Sequence, residues 1–315
     1  MVLRRLPVER PGEVAVLGRG ADGILSRGNR PFSEVFSFAQ YEALKDEDSE
    51  LLADVAAAPT YPTTVYLGEG DGAGADLQRA SCMPVSGSYF PLLGVRPFLG
   101  RLRGPADDGA PGAHPVAVLS HASWSTRMGA DPGAVGSAIR LHGEPYTVIG
   151  ATAPSFRSHV VEADFDIWVP LSMQPSVTRG PSRLQPAYPI ETCWLNIFVR
   201  IGSSRTFEEA AAAINLRLQK LFLEQAGSEI SGRQREYLDE FSVLLMPMNR
   251  GLSRLRQLSR RPLALLWGAT ALVLLIACAN IGKLPLVRAA EQRQEFAGRS
   301  EPRGAACSSR SWPRA

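Results

Sequence analysis

From Pro262 to Ile281 the chain reads PLALLWGATALVLLIACANI, without one charged side chain. No other stretch restricts the fold as severely. A helix rises about 1.5 Å per residue and a bilayer core is about 30 Å thick, so about 20 apolar residues cross it, and this run supplies them. Pro262 stands where a helix tolerates proline, and Trp267 lies near the upstream end, where aromatic rings anchor at the interface. The alternative is a helix buried in a soluble core, but such helices are usually shorter and show a polar edge. The run therefore predicts a single transmembrane helix over 262–281, with residues 1–261 on one side of the membrane.

A body of that length suffices for one elongated domain or two compact ones. Lys and Arg number 34 against 31 Asp and Glu, a net charge of +3. Nucleic-acid binding needs a far stronger field, so nucleic acid is not an expected partner. Arg250, Arg254, Arg256, Arg260 and Arg261 upstream of the run are balanced by Lys283, Arg288, Arg293, Arg299 and Arg303 downstream. The positive-inside rule therefore does not orient it. The opening MVLRRLPVERPGEVAVLG interleaves charges and has no apolar stretch of secretory-signal length, so it does not explain export of the body. Cys82 and Cys193 could pair in an extracytoplasmic body, although two isolated cysteines are more often free and buried; Cys278 sits in the apolar run and Cys307 in the tail.

Along the chain, Glu13–Leu17 reads as a strand. The GRGADG that follows, 18–23, matches G-x-G-x-x-G only formally, because Gly28 and Pro31 break the helix a dinucleotide site requires; a glycine-rich connection is expected. An amphipathic helix is predicted over Ser33–Lys45 with Ser33 as N-cap, followed by an acidic turn, Asp46, Glu47, Asp48 and Glu50. Strands are predicted at Thr63–Leu67 and Leu77–Val85 around a glycine-rich tip, then a short apolar helix at Tyr89–Leu93 closed by Gly94. After a loop over Arg103–Pro115 come a buried strand and a helix ending near Gly129. Ser137–Leu141 and Tyr146–Ala151 form a hairpin around HGEP, 142–145. Asp166–Pro170 and Trp194–Ile201 are further strands, with a loop over 174–189 between them. Thr206 and Glu209 make a capping box for a helix whose Phe207, Ala211, Ile214, Leu218, Leu221 and Phe222 share a face, and Phe241–Met246 is a last strand. Helices, strands and hairpins alternate irregularly, which predicts an α+β body. Leu252, Leu255 and Leu258 continue as a stalk helix into the apolar run.

No chemistry converges. A phosphate-binding G-x-x-x-x-G-K-[ST] is absent, and Gly282–Lys283 is followed by Leu284. G-x-S-x-G is absent too, and Ser120 reads as a helix cap. His114, His121, His142 and His159 are spread through the middle and fit surface or turn positions better than a metal or base. Asn280 fits either a hydrogen bond to a neighbouring helix or an interfacial position, and Arg288, Glu291, Arg293 and Glu295 fit a solvated helix face. No catalytic, cofactor-binding or metal-ligating residue, and no cofactor, is assigned.

Four blocks carry a resemblance: VSGSYFPLLGVRPFLGR at 85–101, PGAHPVAVLSHASWSTRMGADPGAVGSAIRLHGEPYTVIGATAPSF at 111–156, DIWVPL at 166–171 and LLIACANIGKLPLVRAAEQRQEFAGR at 274–299. In this order they resemble the MacB-like periplasmic core domain and, over the whole chain, the FtsX-like ABC transporter permeases called duplicated orphan permeases. The resemblance implies a periplasmic core domain over 1–250, with a porter-like α+β part built from both ends and a β-rich part inserted between. It further implies a stalk over 251–261, the transmembrane helix over 262–281, and a cytoplasmic segment over 282–315. The family pattern has a membrane helix before the segment similar to 2–17 and more helices after Arg299, where this chain reads SEPRGAACSSRSWPRA; a shortened or frame-shifted gene is the expectation.

Such domains carry out no reaction. The implied role is that of a non-catalytic permease component in the cell inner membrane, whose periplasmic body couples helix motion to an extracytoplasmic partner or substrate. Its partners would be the lipid bilayer, a separate ATPase subunit and other permease helices, with an oligomer left open. The alternative is an extracytoplasmic binding module tethered by one helix, or a permease remnant.

Overall fold

The runs read as strands belong to two separate sheets. The computed structural model describes residues 10, 12–19, 36–45, 52–68, 77–160, 163–184, 193–202, 206–226, 232, 235, 238, 239, 241–248 and 265–279. In chain order the elements are β1 (Val14–Arg19), α1 (Phe38–Lys45), β2 (Leu52–Ala58), β3 (Thr63–Gly68), β4 (Gln78–Val85), α2 (Tyr89–Leu93), β5 (Pro97–Gly100), β6 (Val116–Leu119), α3 (His121–Arg127), β7 (Ala138–Leu141), β8 (Glu144–Thr152), β9 (Ile167–Pro170), α4 (Gln174–Thr178), β10 (Asn196–Ile201), α5 (Phe207–Ala226) and β11 (Val243–Pro247). The mixed α+β expectation holds.

Sheet one has the order β11-β1-β10-β2, every pair antiparallel, and takes its strands from both ends of the body. Two local signals start its helices. Thr206 and Glu209 form the predicted capping box, each side chain bonded to the other's backbone N–H at 3.2 and 2.9 Å. A second box caps α1: the Ser37 N–H donates to Gln40 Oε1 at 2.8 Å, and the Gln40 N–H to Ser37 Oγ at 3.3 Å. The cap of α1 is thus Ser37; Ser33 lies outside the described residues. On α5 the buried row is Ala210, Ile214, Leu218 and Phe222, so Ala210 takes the place expected for Ala211.

The second sheet has the order β5-β8-β6-β9-β4-β3-β7, and a further pairing of β7 with β8 closes all but β5 into a ring. β8 makes this possible by pairing with three strands. Thr147 is opposite Val116 of β6 and Ala138 of β7, while Gly150 is opposite Val118 of β6 and Gly100 of β5. β5 and β7 therefore share one edge of β8, and β6 takes the other. The β7–β8 turn is His142 and Gly143, with φ of 53 and 88, the positive values a two-residue hairpin prefers. Glu144 and Pro145, placed in the turn by sequence, already belong to β8.

Alternation sorts side chains between two cores. Ala117, Leu119, Ile167, Val169 and Cys82 fill the barrel, while Val118, Trp168, Met83 and Val85 face outward into a core shared with Phe90 of α2 and Phe198 of sheet one. Trp168 is fully buried there.

A close approach fixes the corner at β8. A Cβ on Gly150 would stand 2.5 Å from the Leu99 carbonyl oxygen and 2.8 Å from the Arg101 nitrogen, both backbone atoms. Gly150→Ala is therefore expected to cost about 1–3 kcal/mol, read as a lower urea midpoint. An unchanged midpoint would show that β5 can retreat.

Contacts divide the chain into Met1–Gln257 and Leu258–Ala315. In the second unit residues 265–279 are helical, and Leu265, Leu266, Trp267 and Leu272 to Ile276 are exposed. Among the described residues no helix is long and apolar enough to cross a membrane. The described helix covers part of the predicted span; Pro262, Asn280, the 251–261 stalk and the 282–315 segment, with Gly282, Lys283, Arg288, Glu291, Arg293 and Glu295, lie outside the described residues. So do Gly20–Gly23 and the acidic turn over 46–50.

Candidate functional site

The segment RLRGPADD, 101–108, runs into the loop predicted over Arg103–Pro115, and it contains a wholly buried charge. Gly104 is extended, Pro105 starts a single 3-10 turn over Pro105–Asp107, and the Asp107 carboxylate accepts the Gly104 N–H at 2.9 Å. That turn aims two carboxylates back at two arginines. Arg101 grips Asp107 with both terminal nitrogens, at 2.7 and 2.8 Å, at the surface, and holds the Asp107 carboxyl below its usual range. Arg103 is different: its side chain is wholly buried.

Arg103 donates to Asp108 Oδ1 at 2.9 Å, to the Asp107 carbonyl at 3.2 Å and to the Val85 carbonyl at the end of β4. Burial lowers its pKa from the guanidinium's usual value while Asp108 opposes the shift, and an arginine keeps its proton under such conditions. Asp108 in turn accepts the Gly87 N–H at 2.8 Å and the Lys45 ammonium of α1 at 3.2 Å. Next to Gly87, Ser86 exchanges bonds with Ala57 of β2: its N–H reaches the Ala57 carbonyl at 3.0 Å, and its hydroxyl accepts the Ala57 N–H at 2.9 Å. One polar chain therefore runs from sheet one, through the β4–α2 junction, to the buried arginine. Gly87 is required where it stands, since a Cβ would lie 2.5 Å from the Gly104 oxygen.

Above this chain, between α1 and the 108–111 segment, is a cleft of about 370 Å³ whose lining includes Phe38, Tyr41, Lys45, Asp108, Leu171 and Leu184. Tyr41 is 2% exposed, with its hydroxyl buried near the Ser86 side chain. Burial, with the Asp108 charge beside it, pushes the Tyr41 pKa up.

A model of the MacB-like periplasmic core domain matches residues 8–216, most of the body just described. The chain belongs to the MacB-like periplasmic core domain family. A domain of a protein described as a permease from Porphyromonas gingivalis shares the fold, with a TM-score of 0.51, 16% identity, and coverage of 80% of this chain and 98% of that one. The periplasmic region of MacB from Actinobacillus actinomycetemcomitans is matched with a TM-score of 0.48 and 15% identity over 75% of this chain and 89% of that one. The extracellular domain of the noncanonic ABC-type transporter YknZ from Gram-positive bacteria gives 0.44 and 14%, over 74% and 99%. Among curated proteins none matches this sequence.

Within this MacB-like periplasmic core domain the histidines have separate surroundings. His114 lies in the exposed loop before β6, the His121 ring packs 4.7 Å from Phe98, and His142 sits in the β7–β8 turn, its pKa lowered by burial and by Arg179. His159 departs from the surface or turn position expected of it. It is 0% exposed, its Nδ1 is 2.8 Å from the Tyr89 oxygen, and the rings of Phe165 and Phe198 lie 5.7 and 5.2 Å away. Burial drives its pKa down to about 3. Ser120 caps α3 as expected, accepting the Ser123 N–H at 2.9 Å. Cys82 lies inside the barrel, and the Cys82–Cys193 disulfide an extracytoplasmic body would permit is not formed. Among the described residues no group of three His, Cys, Asp or Glu is placed to hold a metal ion.

Proposed function

We propose that this chain is a non-catalytic membrane component of a MacB- or FtsX-like ABC-type permease. The family match over 8–216 is the observation that carries the reading. The body is periplasmic, the 262–281 run crosses the inner membrane once, and a separate ATPase subunit supplies the work of nucleotide hydrolysis. Through the helix that leaves the body, motion among permease helices reaches sheet one and the barrel, where an extracytoplasmic partner or substrate is engaged. The exposed row Leu265, Leu266, Trp267 and Leu272 to Ile276 supports a lipid-facing helix, because so large an apolar surface is stable only when covered.

Reporters active only in the periplasm, fused near Met1 and separately after Arg299, test the orientation. The expected outcome is activity from the first fusion alone, with the protein in the membrane fraction. Activity only after Arg299 places the body in the cytoplasm and overturns the reading.

A further inference from the structure

We infer that acid opens this domain in two stages: the core that sheet one shares with the barrel gives way first, through His159, while the barrel stays closed. This order depends on where the titratable side chains lie, and on neither the membrane orientation nor the ATPase partner.

His159 stands where the two sheets meet. Phe198 of β10 approaches its ring at 5.2 Å from sheet one, and Phe165, in the segment leading into β9, at 5.7 Å. Pro59, next after β2, presents its carbonyl to the same ring. The fourth neighbour is Tyr89 of α2, with its hydroxyl 2.8 Å from Nδ1. Among the described residues no charged side chain faces the ring, and Tyr89 is the one titratable neighbour, kept protonated by burial. A neutral imidazole suits this setting, since Nδ1 accepts the Tyr89 proton. An imidazolium turns Nδ1 into a donor, so the Tyr89 proton loses its acceptor among the rings of Phe90, Phe156 and Phe198. A charged ring at 0% exposure also needs water. Tyr89, Phe156, Phe165 and Phe198 all belong to the shared core, so hydrating His159 means opening that core. The barrel core holds no such group. Its titratable members, Cys82 and Tyr146, are neutral, and burial pushes both pKa values up, so acid changes the charge of neither. His121 on α3 and His142 in the β7–β8 turn are partly exposed, so their charged forms keep contact with water.

Peptide-resolved hydrogen exchange of the full chain in lipid nanodiscs, followed from pH 7 to pH 2.5 and corrected for the intrinsic rate, tests the order. Residues 86–95 report the shared core, because the Ser86 N–H reaches across to the Ala57 carbonyl of β2 and the Val95 N–H to the Phe90 carbonyl, each at 3.0 Å. Residues 144–152, the strand β8, report the barrel. Protection over 86–95 is expected to vanish at least about one pH unit above the point where it vanishes over 144–152. In His159→Phe the loss over 86–95 should move down by about one pH unit, and in Tyr89→Phe, where the neutral ring has lost its donor, it should move up by a similar amount. Protection of both segments at pH 7 shows that a variant keeps the fold. Loss of both segments at one pH, loss of the barrel first, or no loss over 86–95 down to pH 2.5 overturns the two stages. A loss over 86–95 at the same pH in His159→Phe overturns the role of His159 and assigns the sensitivity to the Arg103–Asp108 pair.

Discussion

Arg103→Ala is expected to lower the unfolding free energy of the body by about 3–5 kcal/mol, the usual consequence of removing one member of a buried ion pair. The guanidinium is wholly buried, and its loss strands several groups at once: the Asp108 carboxylate, the Asp107 carbonyl and the Val85 carbonyl. Lys45 and the Gly87 N–H still reach Asp108, which keeps the loss from being larger. Urea unfolding measures it as a lower midpoint at unchanged slope. The comparison that isolates the charge is Arg103→Met with Asp108→Leu together, which should recover much of the loss because neither charge is then left alone in the interior. A loss below about 1 kcal/mol for Arg103→Ala would mean that water enters behind the loop and the pair is not buried in solution.

Acid should unfold the body through His159. Its pKa is lowered from 6.5 to about 3 in the folded chain, so between those values the unfolded chain binds the proton more readily. Stability is therefore fully present above about pH 6.5 and falls as the pH drops through the window, by about 1.4 kcal/mol per unit. At pH 4.5 the loss from this one side chain is on the order of 2–3 kcal/mol relative to pH 7. Denaturant titrations at pH 7 and pH 4.5 measure it. In His159→Phe, which keeps a ring among Tyr89, Phe165 and Phe198 but gives up the bond to the Tyr89 oxygen, the pH 7 value should fall and the slope between the two pH values should flatten. An equal slope in both proteins would assign the acid sensitivity to carboxylates instead.

Much of this fold is written in local signals along the chain. β3, β4, β9 and β10 fall on the runs read as strands, α5 begins at its capping box, and α2 ends at Gly94 with φ of 66. What those signals miss is tertiary. β2 is LADVAAA, alanine-rich and a better helix former by propensity, yet Ala56, Ala57 and Ala58 are 0% exposed because β10 pairs with the strand while α1 and α2 pack against it. β5 is a short edge strand whose ladder shifts register between Pro97 and Leu99, so no alternation marks it. α4, inside a region read as loop, begins at Gln174 with a proline next to it. The buried arginine is the hardest to foresee. Nothing in RLRGPADD tells Arg103 from Arg101, because the difference lies in which arginine the turn sets beneath Val85 and Gly87. His159 is equally hidden, since its burial depends on Tyr89, Phe165 and Phe198, which come from distant parts of the chain.

β1 lies between β10 and β11, and the Met248 N–H donates to the Val14 carbonyl at 2.9 Å, so the start of β1 and the end of β11 lie side by side. The two strands are antiparallel, with Ala15 opposite Pro247 and Arg19 opposite Val243. Tension that pulls Val14 and Met248 apart would load the ladder at that end and peel it one hydrogen bond after another, as a zip opens. Tension applied to both residues in the same direction leaves that ladder unstressed.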